Sequence, residues 1–368
     1  MATSKTIPTP GAQARDVRTG QPDPQVTRRE FDARFNQRFA DPLYDAHREA
    51  IAALADVAWQ AHVDGRKAPH TAPAGAGFAD PAYDLSDGWR AASERLQAAE
   101  REQKAARSPD RILVVCASPR SDHTCPGEIS KSWRLVETAR AFITGSGVTC
   151  EVLELDRLVS EYGRHIHPCK GCVSTAMPLC HWPCSCYPNH GLGQAQDWMA
   201  DIYEMWVRAH GVLIVSPVHW NQVPSGLKLM MDRLVCADGG NTDPTTTQGK
   251  KAALAKQLEL DGWDYPQHLK GRAFGLVVHG DTEGTQAVRR ALHDWLIGIG
   301  LVDSGPFGSL DRYIGYYQPY ATSHAELDRD APMFEETRNV ARALVEQVRR
   351  VRAGTAEAGT GLEQPRQK

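Results

Sequence analysis

The sequence lacks the features of several protein classes. Its 368 residues contain no run of 18 apolar residues, and the N-terminus has no apolar stretch of the kind found in secretion signals. Lysine and arginine (42) nearly balance aspartate and glutamate (45), so the net charge is only −3. A basic surface for nucleic acid or an anionic membrane is therefore not expected. We predict a soluble, cytoplasmic protein without a nucleic-acid or membrane partner.

Two familiar phosphate-binding patterns are also missing from the loop after the first apolar run, "ILVVCASPRSDHTCPGEISKS". It fits neither G-x-x-x-x-G-K-[ST] nor G-x-G-x-x-G, which excludes the usual nucleotide loops there. The loop instead carries hydroxyl groups and an arginine ahead of a helical pattern. Such donors suit an anion at a helix N-terminus, and they also suit a hydroxyl-rich helix cap in a solvated loop. The residues concerned are Ser118, Arg120, Ser121, Thr124, Ser130 and Ser132.

The chain divides into four parts by composition and periodicity. Residues 1–26 are rich in Pro, Thr, Gln and Gly and are predicted to be disordered. Residues 27–108 show apolar positions at three- and four-residue steps, which predicts a helical extension serving as an arm or cap. Residues 109–355 form the main domain, and residues 356–368 are predicted to be a disordered tail.

In the main domain, five apolar strands alternate with amphipathic helices. The strands are predicted within "RILVVCA", "VTCEVLEL", "HGVLIVSPV", "RAFGLVVHG" and "LVDSGPFGSL". Continuous apolar strands between helices indicate an α/β fold whose doubly wound parallel sheet is covered on both faces. Ligands of such sheets bind beyond the carboxyl ends of the strands, so the loops after the first, third and fourth strands are the candidate site.

The third and fourth strands end in unusual loops. "VSPVHWNQVPSG" follows the third strand and could support a flat ring along its backbone, although a wide turn with a packed tryptophan fits too. "VVHGDTEGTQ" follows the fourth strand, and Gly280 allows a ligand to approach the backbone closely. A simple helix start explains the second loop equally well.

Together, "ASPRSDHT" and "DWMADIYEMWVRAHGVLIVSPVHWNQVPSGLKLMMDRL" resemble the flavodoxin-like NAD(P)H-dependent FMN reductases, over residues 111–308. The likeness is to the branch with iron-sulfur flavoproteins and NAD(P)H:quinone oxidoreductases. It implies a flavodoxin-like five-stranded sheet of order 2-1-3-4-5. It also implies an FMN phosphate at Ser118, Arg120, Ser130 and Ser132, an isoalloxazine ring along Pro217, Val218, His219, Trp220 and Asn221, and Gly280 and Asp281 at the far side of the ring.

The resemblance implies an activity as well. NAD(P)H would be the cosubstrate, and a quinone, flavin, nitro or azo compound would be the small-molecule acceptor. No side-chain acid or base is obligatory, and His219 and His279 are the candidates to protonate an acceptor. Related proteins bury dimer contacts beside the flavin, so a homodimer or homotetramer is expected.

Nine cysteines are present, and five of them lie between Cys169 and Cys186. In a reducing compartment this density suggests an iron-sulfur or zinc site on Cys169, Cys172, Cys180 and Cys184. Free thiols and a disulfide are the alternatives. A bound cluster would favour an electron-transfer flavoprotein that serves protein partners, and a zinc ion without flavin would indicate a non-redox binding module.

Overall fold

A computed structural model describes residues 26–65, 68–124, 127–187 and 197–356. The predicted disordered N-terminus and tail lie outside these residues, apart from Val26 and Ala356 at their inner ends. No helix within the described part of the chain is long and apolar enough to cross a membrane.

The N-terminal extension is helical, with a small sheet in addition. Its described residues form α1 (Arg28–Gln37), α2 (Arg48–Val63), β1 (Thr71–Pro73), β2 (Asp84–Ser86) and α3 (Asp87–Lys104). The antiparallel β1–β2 pair was not predicted, because strands of three residues carry no readable periodicity. α3 contributes Leu96 and Ala99 to the main hydrophobic core. The last helix of the extension is therefore part of the main domain's packing.

The central sheet is parallel and has the predicted order. Its strands are β3 (Arg111–Cys116), β4 (Thr149–Glu154), β5 (Gly211–Pro217), β6 (Ala273–Gly280), β7 (Val302–Asp303) and β8 (Ser309–Tyr313). They run in the order β4-β3-β5-β6, with β7 and β8 both paired to β6. The flavodoxin-like order 2-1-3-4-5 is thus confirmed, with the fifth strand in two pieces. Gly305 at φ +85° and Pro306, which lacks a backbone N–H, interrupt it.

Helices cover both faces of this sheet. In chain order the helices of the main domain are α4 (Lys131–Gly145), α5 (Arg157–Ser160), α6 (Met199–Arg208), α7 (Ser225–Arg233), α8 (Ala252–Leu260), α9 (Thr285–Gly298), α10 (Tyr320–Arg329) and α11 (Ala331–Arg352). Of these, α8 packs mainly on residues 177–179 and 244–247 and not on the sheet. Alternate residues of each strand enter opposite cores, as the two-residue repeat requires. In β3, Ile112 and Val114 face α4 and α11, whereas Leu113 and Val115 face α6 and α7. Both faces of the central strands are buried, which explains why β3, β5 and β6 are mostly apolar.

Candidate functional site

The three loops singled out in the sequence meet at the carboxyl edge of the sheet. Ser132, at the start of α4, lies with its Oγ 2.8 Å from Nε2 of His279 near the end of β6. Beside this pair, Nζ of Lys131 lies 3.8 Å from Oδ2 of Asp281. The loop after β5 joins through the backbone, because Val218 N–H donates to the His279 carbonyl oxygen. The topology therefore brings these chain segments into one site.

The loop after β3 is tied by its own hydroxyl groups. Oγ of the buried Ser118 accepts a hydrogen bond from the backbone N–H of Arg120, at 3.2 Å. Ser130 caps α4 by accepting from the Trp133 N–H at 3.1 Å. The Arg120 side chain is exposed at the loop surface. A capped helix N-terminus with an adjacent guanidinium group favours a bound anion.

Ser132 and His279 are buried against each other, being only 1% and 4% exposed. Burial lowers the pKa of His279 to about 3, with the positive charge of Lys131 adding to the effect, so the imidazole is neutral at neutral pH. His279 is therefore a poor proton donor, and its place in the site is to hold the first turn of α4 against β6. A phosphate at α4 would meet the backbone N–H groups of this turn rather than the Ser132 hydroxyl.

The loop after β5 is a tight turn that projects a tryptophan. His219 and Gln222 exchange backbone hydrogen bonds of 2.9 and 3.0 Å, and Trp220 and Asn221 between them have φ of +50° and +61°. Two positive φ values in succession define a type I′ turn. Asparagine tolerates this region and tryptophan does not, yet Trp220 is 95% exposed. The packed tryptophan allowed by the sequence is wrong, and the strained, exposed ring indicates a functional role.

Replacing Trp220 by Asn is expected to raise the free energy of unfolding by about 1 kcal/mol, since Asn relieves the strained backbone and almost no packing is lost. Chemical denaturation followed by circular dichroism measures this. Tyr162→Asn, at a fully exposed aromatic outside the positive-φ positions, is the control and should change stability by less than about 0.5 kcal/mol. A destabilised Trp220→Asn protein would mean that the indole ring is packed in solution.

Glycines give the loop after β6 its shape. A Cβ added to Gly280 would lie 3.2 Å from Cβ of Val218, and one added to Gly284 would lie 2.6 Å from Oδ1 of Asn221. The β5 and β6 loops are thus in backbone contact. Burial lowers the pKa of His219, and the nearby carboxylate of Asp281 partly opposes this. His219 is exposed, so it remains the candidate that can reach an acceptor.

Two further contributions to this edge come from Lys131 and from the tyrosines after β8. Lys131 is largely buried beside Asp281, and burial lowers its pKa. Tyr316 and Tyr317 follow β8 with φ of +57° and +54°, and Tyr317 is 93% exposed. The run "RYIGYYQ" after the fifth strand was the available signal for the tyrosines. Nothing local identifies Lys131, because its partner is 150 residues away in the chain.

A cavity of about 490 Å³ adjoins the β3 loop on its β4 side. Arg120 and Ser130 line it together with Asp156, Arg157 and Glu161. Its charges are mixed, and no residue of the β5 or β6 loops lines it. It therefore borders the anion-binding end of the site and not the region of Trp220 and His279.

The cysteine segment, residues 169–186, lies beside α7 and the residues that follow it. Within the described ranges, no three or more His, Cys, Asp and Glu side chains are arranged to hold a metal ion. The predicted ligands Cys169, Cys172, Cys180 and Cys184 are free thiols here. Two of the cysteines form a close pair: Sγ of Cys172 lies 3.6 Å from Sγ of Cys186.

Comparison with known proteins supports a flavin site. A sequence model of the family described as NADPH-dependent FMN reductase matches residues 111–311. No curated protein sequence matches the chain. Similar solved structures include RosB with bound 8-demethyl-8-formylriboflavin-5'-phosphate (13% identity, 70% of this chain and 95% of that one, TM-score 0.44). Others are an azoreductase from Bacillus anthracis str. Sterne (14%, 63% and 98%, 0.35) and NAD(P)H:quinone oxidoreductase from Methanothermobacter marburgensis (14%, 66% and 98%, 0.35).

Proposed function

The chain belongs to the family of NADPH-dependent FMN reductases, and from this premise we propose that it passes hydride from NAD(P)H through FMN to a small quinone, flavin or azo compound. The convergence of the β3, β5 and β6 loops carries the proposal. Two contacts connect the phosphate end of the site to its ring end. Ser132 contacts His279, and Lys131 lies beside Asp281.

The residues fit a flavin mononucleotide at two places. The N-terminus of α4, capped by Ser130 and flanked by Arg120, offers a positive end to the phosphate. Gly280 lies at the end of β6. Because it has no Cβ to crowd Val218, the backbone of the β5 and β6 loops can pack closely and form a flat floor. Both features are of the kind required by a ligand with an anionic tail and a planar head.

FMN supplies the hydride and electron chemistry when it is bound, so this chain contributes binding, orientation and proton handling. Trp220 and Tyr317 present exposed rings on neighbouring loops, where they could stack against a flat acceptor or a nicotinamide. His219 can donate a proton from its ring to a reduced acceptor, because Asp281 partly offsets the lowering of its pKa by burial. His279 stays neutral and positions Ser132.

The same exposed rings support a homodimer or homotetramer. Trp220 in the β5 loop and Tyr317 and Tyr320 after β8 are 95%, 93% and 74% exposed, and exposed aromatic rings are enriched at protein interfaces. A second copy covering this edge would enclose the ring end of the flavin. Light scattering tests this assembly independently of activity.

Arg120→Ala is expected to weaken FMN binding about tenfold, because a charged contact to the phosphate stabilises binding by about 1.5 kcal/mol or more. Quenching of flavin fluorescence measures the affinity, and oxidation of NAD(P)H with a small quinone measures turnover. Arg157→Ala is the matched control, because Arg157 lines the same 490 Å³ cavity and pairs with Glu161. It should leave FMN affinity unchanged. A wild-type chain that binds no FMN would overturn the proposal itself.

The iron-sulfur or zinc version of this function is the second prediction from the sequence, on Cys169, Cys172, Cys180 and Cys184. The arrangement of the described residues gives it no support. Analysis of iron, sulfide and zinc in protein purified without oxygen decides the point. A cytoplasmic, reducing location remains part of the proposal, since the eight described cysteines are free thiols.

A further inference from the structure

We propose that Cys172 and Cys186 form a redox-active thiol pair that exchanges with small disulfides in the cavity beside it. Their Sγ atoms lie 3.6 Å apart and both side chains are half-buried. A disulfide needs about 2.05 Å between the sulfur atoms, so the gap to close is about 1.5 Å. The inference does not depend on flavin binding, because none of the three flavin-site loops lines this cavity.

The cavity gives a ligand access to the pair. It has a volume of about 860 Å³ and lies between the N-terminal extension and the cysteine segment. Cys172 and Cys186 line one side together with Lys170 and Lys250, and Trp89 of α3 is part of the opposite wall. Two lysines line the cavity beside the two thiols, against one carboxylate, that of Asp84, and this balance favours a disulfide that carries carboxylate groups. Oxidised glutathione has this chemistry and a size suited to such a space.

The two cysteines have different acidities. Cys186 hydrogen-bonds to Cys172 and, with the positive charge of Lys250, lowers the pKa of the Cys172 thiol to about 7 despite burial. The same hydrogen bond raises the pKa of Cys186. Burial or neighbouring thiols also raise the pKa values of Cys169, Cys180 and Cys184.

Long-range contacts hold this geometry. Nζ of Lys250 donates to the Leu179 carbonyl oxygen at 2.6 Å, and the His181 ring shares a hydrogen bond with Thr247 at 3.0 Å. The Trp182 N–H donates to the Asn241 carbonyl oxygen at 2.8 Å. Residues between α7 and α8 therefore hold the middle of the cysteine segment, at residues 179–182. Because the segment is held in this way, Cys172 and Cys186 can form a disulfide without the segment refolding around them.

The exchange balances in two steps. The Cys172 thiolate attacks one sulfur of the small disulfide RSSR, forming a mixed disulfide and releasing RS⁻. Cys186 then loses its proton and attacks Sγ of Cys172, which forms the internal disulfide and releases the second RS⁻. In sum, the two protein thiols lose two electrons and two protons, and RSSR becomes two RSH. Excess thiol reverses both steps.

The test uses the full chain, reduced and then equilibrated without oxygen in mixtures of reduced and oxidised glutathione. Free thiols are alkylated, and disulfides are located by mass spectrometry. We expect one new disulfide, Cys172–Cys186, which disappears when excess thiol is restored.

Three variants sharpen the test. Neither Cys186→Ser nor Cys172→Ser can form the internal disulfide, so each should stop at a mixed disulfide on the cysteine that remains in the cavity. Cys150→Ser is the control, because this half-buried thiol on β4 has a pKa raised to about 11 by burial and should not affect the exchange. Circular dichroism confirms that each variant is folded. Absence of the disulfide at every ratio, a different cysteine pair, or a tightly bound metal that blocks alkylation of Cys172 would overturn the proposal.

Discussion

Replacing Asp197 by Ala is expected to lower the free energy of unfolding by about 3–5 kcal/mol. Asp197 and Arg233 form a two-bond ion pair of 3.1 and 2.5 Å, with side chains only 9% and 0% exposed. Removing the carboxylate leaves a guanidinium group buried without its counterion, and that charge cannot be neutralised by losing a proton. The midpoint of chemical denaturation, followed by circular dichroism, measures the loss.

Asp201→Ala is the control for this effect. Asp201 also pairs with an arginine, Arg95, but at 3.5 Å and with both side chains largely exposed, so the expected loss is below about 1 kcal/mol. The Asp197 variant should also loosen the cysteine segment, because Arg233 donates to the His167 carbonyl oxygen and lies over the Tyr187 ring. Equal stabilities for the two variants would show that Arg233 finds another partner or reaches water.

The main elements of the fold were predictable because their signals are local. The three central strands, β3, β5 and β6, are buried on both faces, so each is a mostly apolar run between helical patterns. The failures involve short or interrupted elements. The fifth strand is divided at Gly305 and Pro306, and the strands β1 and β2 have only three residues each. Such pieces are stabilised by contacts with distant residues, which local periodicity does not show.

The candidate site was predictable only as a set of loops. Strand order places the β3, β5 and β6 loops at one edge, and that much follows from the topology of parallel sheets. The roles inside the loops depend on pairings across the chain. Ser132 was predicted to hold a phosphate, but its hydroxyl is hydrogen-bonded to His279, which is 147 residues away in the chain. The approach of Cys172 to Cys186 likewise depends on how the segment folds against its surroundings.

One added atom, the Cβ of an alanine at position 284, can test the contact between the β5 and β6 loops. Gly284→Ala is expected to reduce quinone reduction on the order of 100-fold, because the new Cβ would lie 2.6 Å from Oδ1 and 3.0 Å from Cα of Asn221. The Asn221 backbone must move to make room, which misplaces the turn that carries Trp220. Displacements of about 1 Å in a positioning element cost catalysis about this much. Steady-state oxidation of NAD(P)H with a small quinone measures the change.

Gly262→Ala separates the clash from backbone strain. Gly262 has a φ of +90°, close to the +107° of Gly284, but a Cβ there meets nothing within 4 Å. Both variants should therefore lose about 1 kcal/mol of stability from the left-handed backbone, and only Gly284→Ala should lose activity. Because the difference isolates one contact between two loops, full activity in Gly284→Ala would mean that Asn221 yields without disturbing the site. The turn after β5 would then have no positioning role, and the reaction would depend on the β3 and β6 loops alone.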